Sequence, residues 1–151
     1  MTGFVETGAR RHVAANPGAY LAPDRDPPYP HGFGELPEEL GGEEAIRRYL
    51  ARPPTIYVGT DDTGRENLDS TDDAERQGRN RVERGRNVFA AAHKLAMAKG
   101  YEFRWKLVEA PGVGHVWPMY CQSWYRNYNT PQSRYLNLGL RVVMEVDPTE
   151  K

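Results

Sequence analysis

From Thr55 to Val108 the sequence reads strand, polar loop, long helix, strand, and that order restricts what the chain can build. Thr55-Ile56-Tyr57-Val58-Gly59 is β-branched and aromatic, the composition of a strand. Between Val82 and Lys99, the residues Val88, Phe89, Ala92, Leu95 and Ala96 fall on one face at helical spacing, and Gly100 stands where a C-terminal cap is needed. Phe103, Trp105 and Leu107 then alternate with Arg104 and Lys106, so a second strand with one apolar face follows until Val108 breaks the alternation. Upstream, His12-Val13-Ala14-Ala15 reads as a short buried strand stopped by Asn16-Pro17-Gly18. Gly42 to Leu50 reads as a short helix, with acids at its start and arginines toward its end, halted by Pro53-Pro54. Strands that alternate with helices in this way predict an α/β fold built on a mostly parallel sheet.

The connections are long. Tyr20 to Pro37 is crowded with Pro, Gly and Asp and fits no regular element, so it is expected to be a surface excursion. Thr60 to Arg81 reads as one polar, charged loop. With 38% hydrophobic residues, 12 Pro and 15 Gly, the chain is expected to be loop-rich with a modest core for its length. A formal net charge of −1 provides no global field for nucleic acid or an anionic membrane. No apolar run approaches the ~20 residues of a membrane span. The segment Met1 to Glu6 has neither a basic nor an apolar signal-peptide region, and the single Cys121 cannot form an internal disulfide, so a cytoplasmic location is expected.

Two side chains stand where chemistry is possible. Asp62 follows the first long strand in Gly59-Thr60-Asp61-Asp62, and His115 ends the run Glu109-Ala110-Pro111-Gly112-Val113-Gly114-His115 after the second. A carboxylate can fix the tautomer of an imidazole and stabilise its protonated form, provided the loops bearing them converge on one edge of the sheet. The arginines at 65, 76, 79, 81, 84 and 86 alternate with acids, which makes a solvated loop and helix start the expected reading rather than a phosphate site. His12, His31 and His93 lack partners at metal-ligand spacing, and no cofactor is expected.

From Val13 to His115 the chain resembles the C-terminal half of an α/β-hydrolase of the esterase or depolymerase-like kind. The resemblance is carried by Val13 to Tyr20, by Pro28-Tyr29-Pro30-His31-Gly32, by Tyr57 to Thr63, by Gln77 to Phe89, and by Val108 to His115. It implies a partial, mostly parallel hydrolase sheet with flanking helices, with the triad acid at Asp62 and the triad base at His115. The nucleophile that the resemblance calls for is missing. Ser70, Ser123 and Ser133 are the only serines, and none lies in Gly-x-Ser-x-Gly or precedes Asp62. In that family the nucleophile strand and oxyanion loop lie upstream of the position of Met1. The expectation is therefore a truncated or fused hydrolase, inactive alone, that takes a small-molecule ester only when a complementing N-terminal half supplies the rest. Half a sheet also leaves a strand edge uncovered, so a marginal fold or a homo-oligomer is expected.

The tail carries a second resemblance. Tyr120 to Pro131 and Asn137 to Val143 are similar to the C-terminus of the formylglycine-generating enzyme superfamily, which has a C-type-lectin-like fold. Enzymes of that superfamily hold copper with two cysteines; Cys121 matches the second, but the position of the first is Val116, so a copper oxidase is not implied. The chain thus divides into a hydrolase-like part (1–116) and a short lectin-like β tail (117–151). An alternative function follows, a non-enzymatic module that recognises a ligand through Trp124, Tyr125, Arg126 and Tyr128.

Overall fold

The β-branched run forms β2 (Pro54–Gly59) and takes the centre of a three-stranded sheet in the computed structural model, which describes residues 12–115. β1 (His12–Ala15) and β3 (Lys106–Ala110) flank it, and both pair with it in parallel. Their registers set Ala15 beside Tyr57, and Gly59 beside Ala110, so the chain leaves all three strands at the same edge. Parallel neighbours need crossover connections. One contains α1 (Glu38–Gly41) and α2 (Glu43–Ala51), and the other contains α3 (Asp72–Gln77) and α4 (Arg81–Lys99). The expected α/β architecture is what the described residues adopt.

α4 packs on β2 and β3, and α2 packs on α4. Ile46 and Leu50 of α2 meet Val88, Ala92 and Ala96 of α4 and Ile56 and Val58 of β2 in one apolar cluster. Trp105 closes it against Tyr49, ring edge to ring face at 5.0 Å between centroids. The Asn80 side chain accepts a hydrogen bond from the Glu83 N–H at the start of α4, and Gly100 ends the helix at φ 67°, a left-handed conformation that glycine adopts without steric cost.

Several expectations are corrected. β1 is not buried: it lies at the sheet edge among the described residues, and Val13 is 40% exposed. The segment from Tyr20 to Pro37 is a surface excursion only in part: Asp24 to Asp26, Tyr29 and Pro30 are exposed, whereas Tyr20, His31 and Phe33 are buried and Phe33 joins the core cluster. Its backbone is satisfied internally, with Phe33 N–H donating to Asp24 O, Gly34 N–H to Pro27 O and Ala22 N–H to His31 O, which lets an irregular segment be buried. The polar loop after β2 is interrupted by α3. Regular pairing of β3 begins at Lys106, later than the alternation from Phe103 suggested. Arg81 and Arg84 are buried rather than solvated. Trp124, Tyr125, Arg126, Tyr128, Cys121 and the rest of the expected lectin-like tail lie outside the described residues. Among the described residues no helix is long and apolar enough to cross a membrane.

Candidate functional site

The chain leaves β2 and β3 side by side, and backbone contacts bind the two exits together. The turn after β2 closes with Asp62 N–H donating to Gly59 O at 3.0 Å. Thr60 N–H donates to Ala110 O and Asp61 N–H to Val113 O, each at 3.0 Å. In return, Gly112 N–H donates to the Thr60 hydroxyl at 3.0 Å. The approach is so close that a Cβ on Gly59 would stand 2.2 Å from the Val113 carbonyl oxygen. Only glycine fits there. On the other side of β2, the Asn16 carboxamide oxygen accepts the Gly59 N–H at 2.9 Å and fixes the end of β1 to the same turn.

This clamp brings together the two residues singled out from the sequence. His115 Nδ1 lies 3.1 Å from Asp62 Oδ2. A carboxylate can only accept, so in the neutral ring this contact places the proton on Nδ1 and leaves Nε2 with its lone pair. The Asp62 side chain is fully buried and that of His115 is 24% exposed, so the acid is sheltered while the imidazole reaches the surface.

Two further groups surround the acid, and neither was singled out as a site residue from the sequence. Arg81, at the first turn of α4, sets NH1 3.6 Å from Asp62 Oδ1, and both side chains are buried. Its NH2 donates to the carbonyls of Glu66 and Asn67 at 2.9 Å each. The Tyr20 phenol, which arrives after β1, is raised above its ordinary range by burial and, secondarily, by the Asp62 charge. A sequence signal for Arg81 existed: counting back from Val88 by one and two helical turns along the buried stripe leads to Arg84 and Arg81.

A second imidazole–carboxylate pair was also missed. His31 Nε2 lies 2.9 Å from Asp69 Oδ2 and donates to it. Asp69 Oδ1 accepts from the N–H and hydroxyl of Thr71. The Thr71 N–H, followed by His31, lowers the Asp69 carboxyl to about 2. This pair lines an open cleft of about 710 Å³ together with Gly18, Ala19, Tyr20, Leu21, Pro30, Asn67 and Leu68. Neither Asp62 nor His115 is among the lining residues; Arg81 links the two places, because Asn67, whose carbonyl it holds, lines the cleft. The cleft lies on loops that follow β1 and β2, beyond the carboxyl ends of parallel strands, where open α/β sheets bind ligands. Among the described residues no group of three or more His, Cys, Asp or Glu side chains could hold a metal ion.

No family model matches the chain. No curated protein matches it either. Solved structures do. It is similar to the poly(3-hydroxybutyrate) depolymerase LpqC from Bordetella parapertussis, at 36% identity and a TM-score of 0.62, over 70% of this chain and 36% of that one. It is also similar to poly(aspartic acid) hydrolase-1 from Sphingomonas sp. KT-1, at 34% identity and a TM-score of 0.62, over 71% of this chain and 40% of that one. The chain therefore spans about two fifths of the length of these structures or less. Its described residues carry part of an α/β-hydrolase-like fold.

Proposed function

We propose that this chain furnishes the acid–base half of a serine-hydrolase site for carboxylic esters and is inactive until a nucleophile is supplied. The observation that carries the reading is the 3.1 Å contact between buried Asp62 and partly exposed His115 at the carboxyl edge of the sheet. With the proton held on Nδ1, Nε2 can take the proton of a serine hydroxyl as its oxygen attacks the ester carbonyl. Asp62 then faces the imidazolium and stabilises it. The proton passes to the departing alkoxide, and water repeats the sequence to release the acid.

No serine of this sequence stands in a nucleophile turn: Ser70, Ser123 and Ser133 lack its flanking glycines. Loss of the nucleophile from such a site costs roughly six powers of ten in kcat, so the isolated chain is catalytically silent in this reading. The complementing polypeptide supplies the Gly-x-Ser-x-Gly turn, its strand and the oxyanion donors. Similarity to a depolymerase and a poly(aspartic acid) hydrolase supports hydrolysis of an acyl bond and favours no single substrate.

The test is hydrolysis of a chromogenic short-chain ester by the purified chain, alone and mixed with a polypeptide that carries the missing strands and nucleophile turn. Background rates alone, and activity in the mixture that His115→Ala abolishes, are expected. Robust hydrolysis by the chain alone that His115→Ala removes would refute the claim of silence. Activity in the mixture that survives His115→Ala would refute the role of His115.

A further inference from the structure

We infer that Arg81 is the positioning residue of this pair, holding the Asp62 carboxylate so that one oxygen receives His115 and setting the charge that the imidazole senses. The inference rests on the reading of Asp62 and His115 as acid and base. The two oxygens of Asp62 are divided between two partners: Oδ2 faces His115 Nδ1 and Oδ1 faces Arg81 NH1. The guanidinium is not free to turn away, because NH2 is tied to the carbonyls of Glu66 and Asn67 and the group is planar. A guanidinium this deeply buried is costly unless an anion faces it, and among the described residues Asp62 is the carboxylate within ion-pair distance. Among the described residues neither Oδ1 nor NH1 makes a direct hydrogen bond, so the 3.6 Å contact acts through charge.

The other groups near the acid do not provide that charge. Tyr20 senses Asp62 from the β1 side as a neutral phenol. Arg84, one turn along α4, senses Arg81 but spends its own contacts on Glu75, Gly18, Asp69 and Gly78. Arg86, farther along the helix, is paired with Glu109. Among the described residues, that leaves Arg81 as the cation that faces the carboxylate.

A pure loop clamp is the competing role, since the same side chain holds two carbonyls. The discriminating measurement is a nitrogen-detected NMR titration of the full chain, which follows His115 and His31 in one sample. In Arg81→Met, which keeps the apolar stem and removes the charge, the pH at which His115 takes up its proton should rise by roughly one unit, as expected for a unit charge one carboxylate away. His31, paired with Asp69 elsewhere, should titrate as in the parent. Arg81→Lys restores the charge and should return His115 to within a few tenths of a unit of the parent.

An unmoved His115 in folded Arg81→Met overturns the inference, as does an equal shift of His115 and His31. Should Arg81→Met fail to fold, Arg81→Gln decides, because it keeps an amide donor for the two carbonyls and removes the charge: a rise of His115 by roughly one unit supports the role, and an unmoved His115 refutes it. The underlying reading fails separately, when the parent itself lacks a proton on His115 Nδ1.

Discussion

Arg84→Met removes a guanidinium that joins three separate stretches of chain. Its Nε donates to Gly78 O at 2.7 Å, NH1 donates to the carbonyls of Gly18 and Asp69, and NH2 reaches Glu75 Oε1 at 3.2 Å. The side chain is completely buried, and desolvation pulls its basicity down against the neighbouring Glu75 and Asp69 charges. Methionine keeps much of the stem and offers no donor. Three carbonyls then lose their partner, while Glu75 keeps Arg65 and is not orphaned. An unmet buried polar group costs about 1–3 kcal/mol, so three set an upper range near ~3–9 kcal/mol. Two of the carbonyl contacts lie in partly buried surroundings where water can reach, and the variant is spared the burial of a cation. A net loss of about 3 kcal/mol is expected, a large fraction of the ~5–15 kcal/mol that typically holds a domain together. Urea unfolding followed by far-ultraviolet circular dichroism reads it as a lower midpoint at unchanged slope. A loss below about 1 kcal/mol would refute the reasoning, because it would mean that the carbonyls find other donors at little cost.

Two other perturbations test neighbouring parts of the argument. Gly59→Ala drives a methyl group into the Val113 carbonyl and should cost about 1–3 kcal/mol by urea unfolding, with loss of the His115 Nδ1–H resonance as its loop is pushed away; a parent-like spectrum and midpoint would contradict the clamp. Asp69 is held near about 2, below the ordinary carboxyl value of 3.8. A depressed acid contributes stability that is complete above the unfolded value and is lost as the pH falls from about 4 toward 2. Asp69→Asn should therefore flatten that segment of the stability–pH curve, and identical slopes for parent and variant would exclude the assignment.

The sequence was most legible where periodicity was strong. β2, α2 and α4 fall within a residue or so of their expected bounds because β-branching, helical spacing and the Gly100 cap are local signals. Tyr20 to Pro37 was misjudged in part, for a different reason. Its burial depends on a few aromatics, Tyr20 and Phe33, and on backbone hydrogen bonds within the loop, neither of which leaves a period in the sequence. α3 was hidden by its polarity, although Asp72 and Asp73 in its first turn and Gly78 just past its end are start and stop signals. The proximity of Asp62 and His115 could be anticipated because each follows a strand of one parallel sheet. The groups that surround them could not. Arg81 and Arg84 looked like solvated charges because composition counts the acids around them, whereas the helix stripe that they continue decides that they face inward. The His31–Asp69 pair joins two irregular loops 38 residues apart, a separation no local pattern encodes.

The His115 ring is held by its contact with Asp62, and its protonated nitrogen can be observed directly. A long-range proton–nitrogen spectrum of the full chain, recorded where the imidazole is neutral, assigns the tautomer from the two ring-nitrogen shifts. The contact between His115 Nδ1 and Asp62 Oδ2 predicts a proton fixed on Nδ1, an unprotonated Nε2, and loss of that preference in Asp62→Ala. A ring protonated on Nε2, or a tautomer mixture that Asp62→Ala leaves unchanged, would contradict the acid–base half-site.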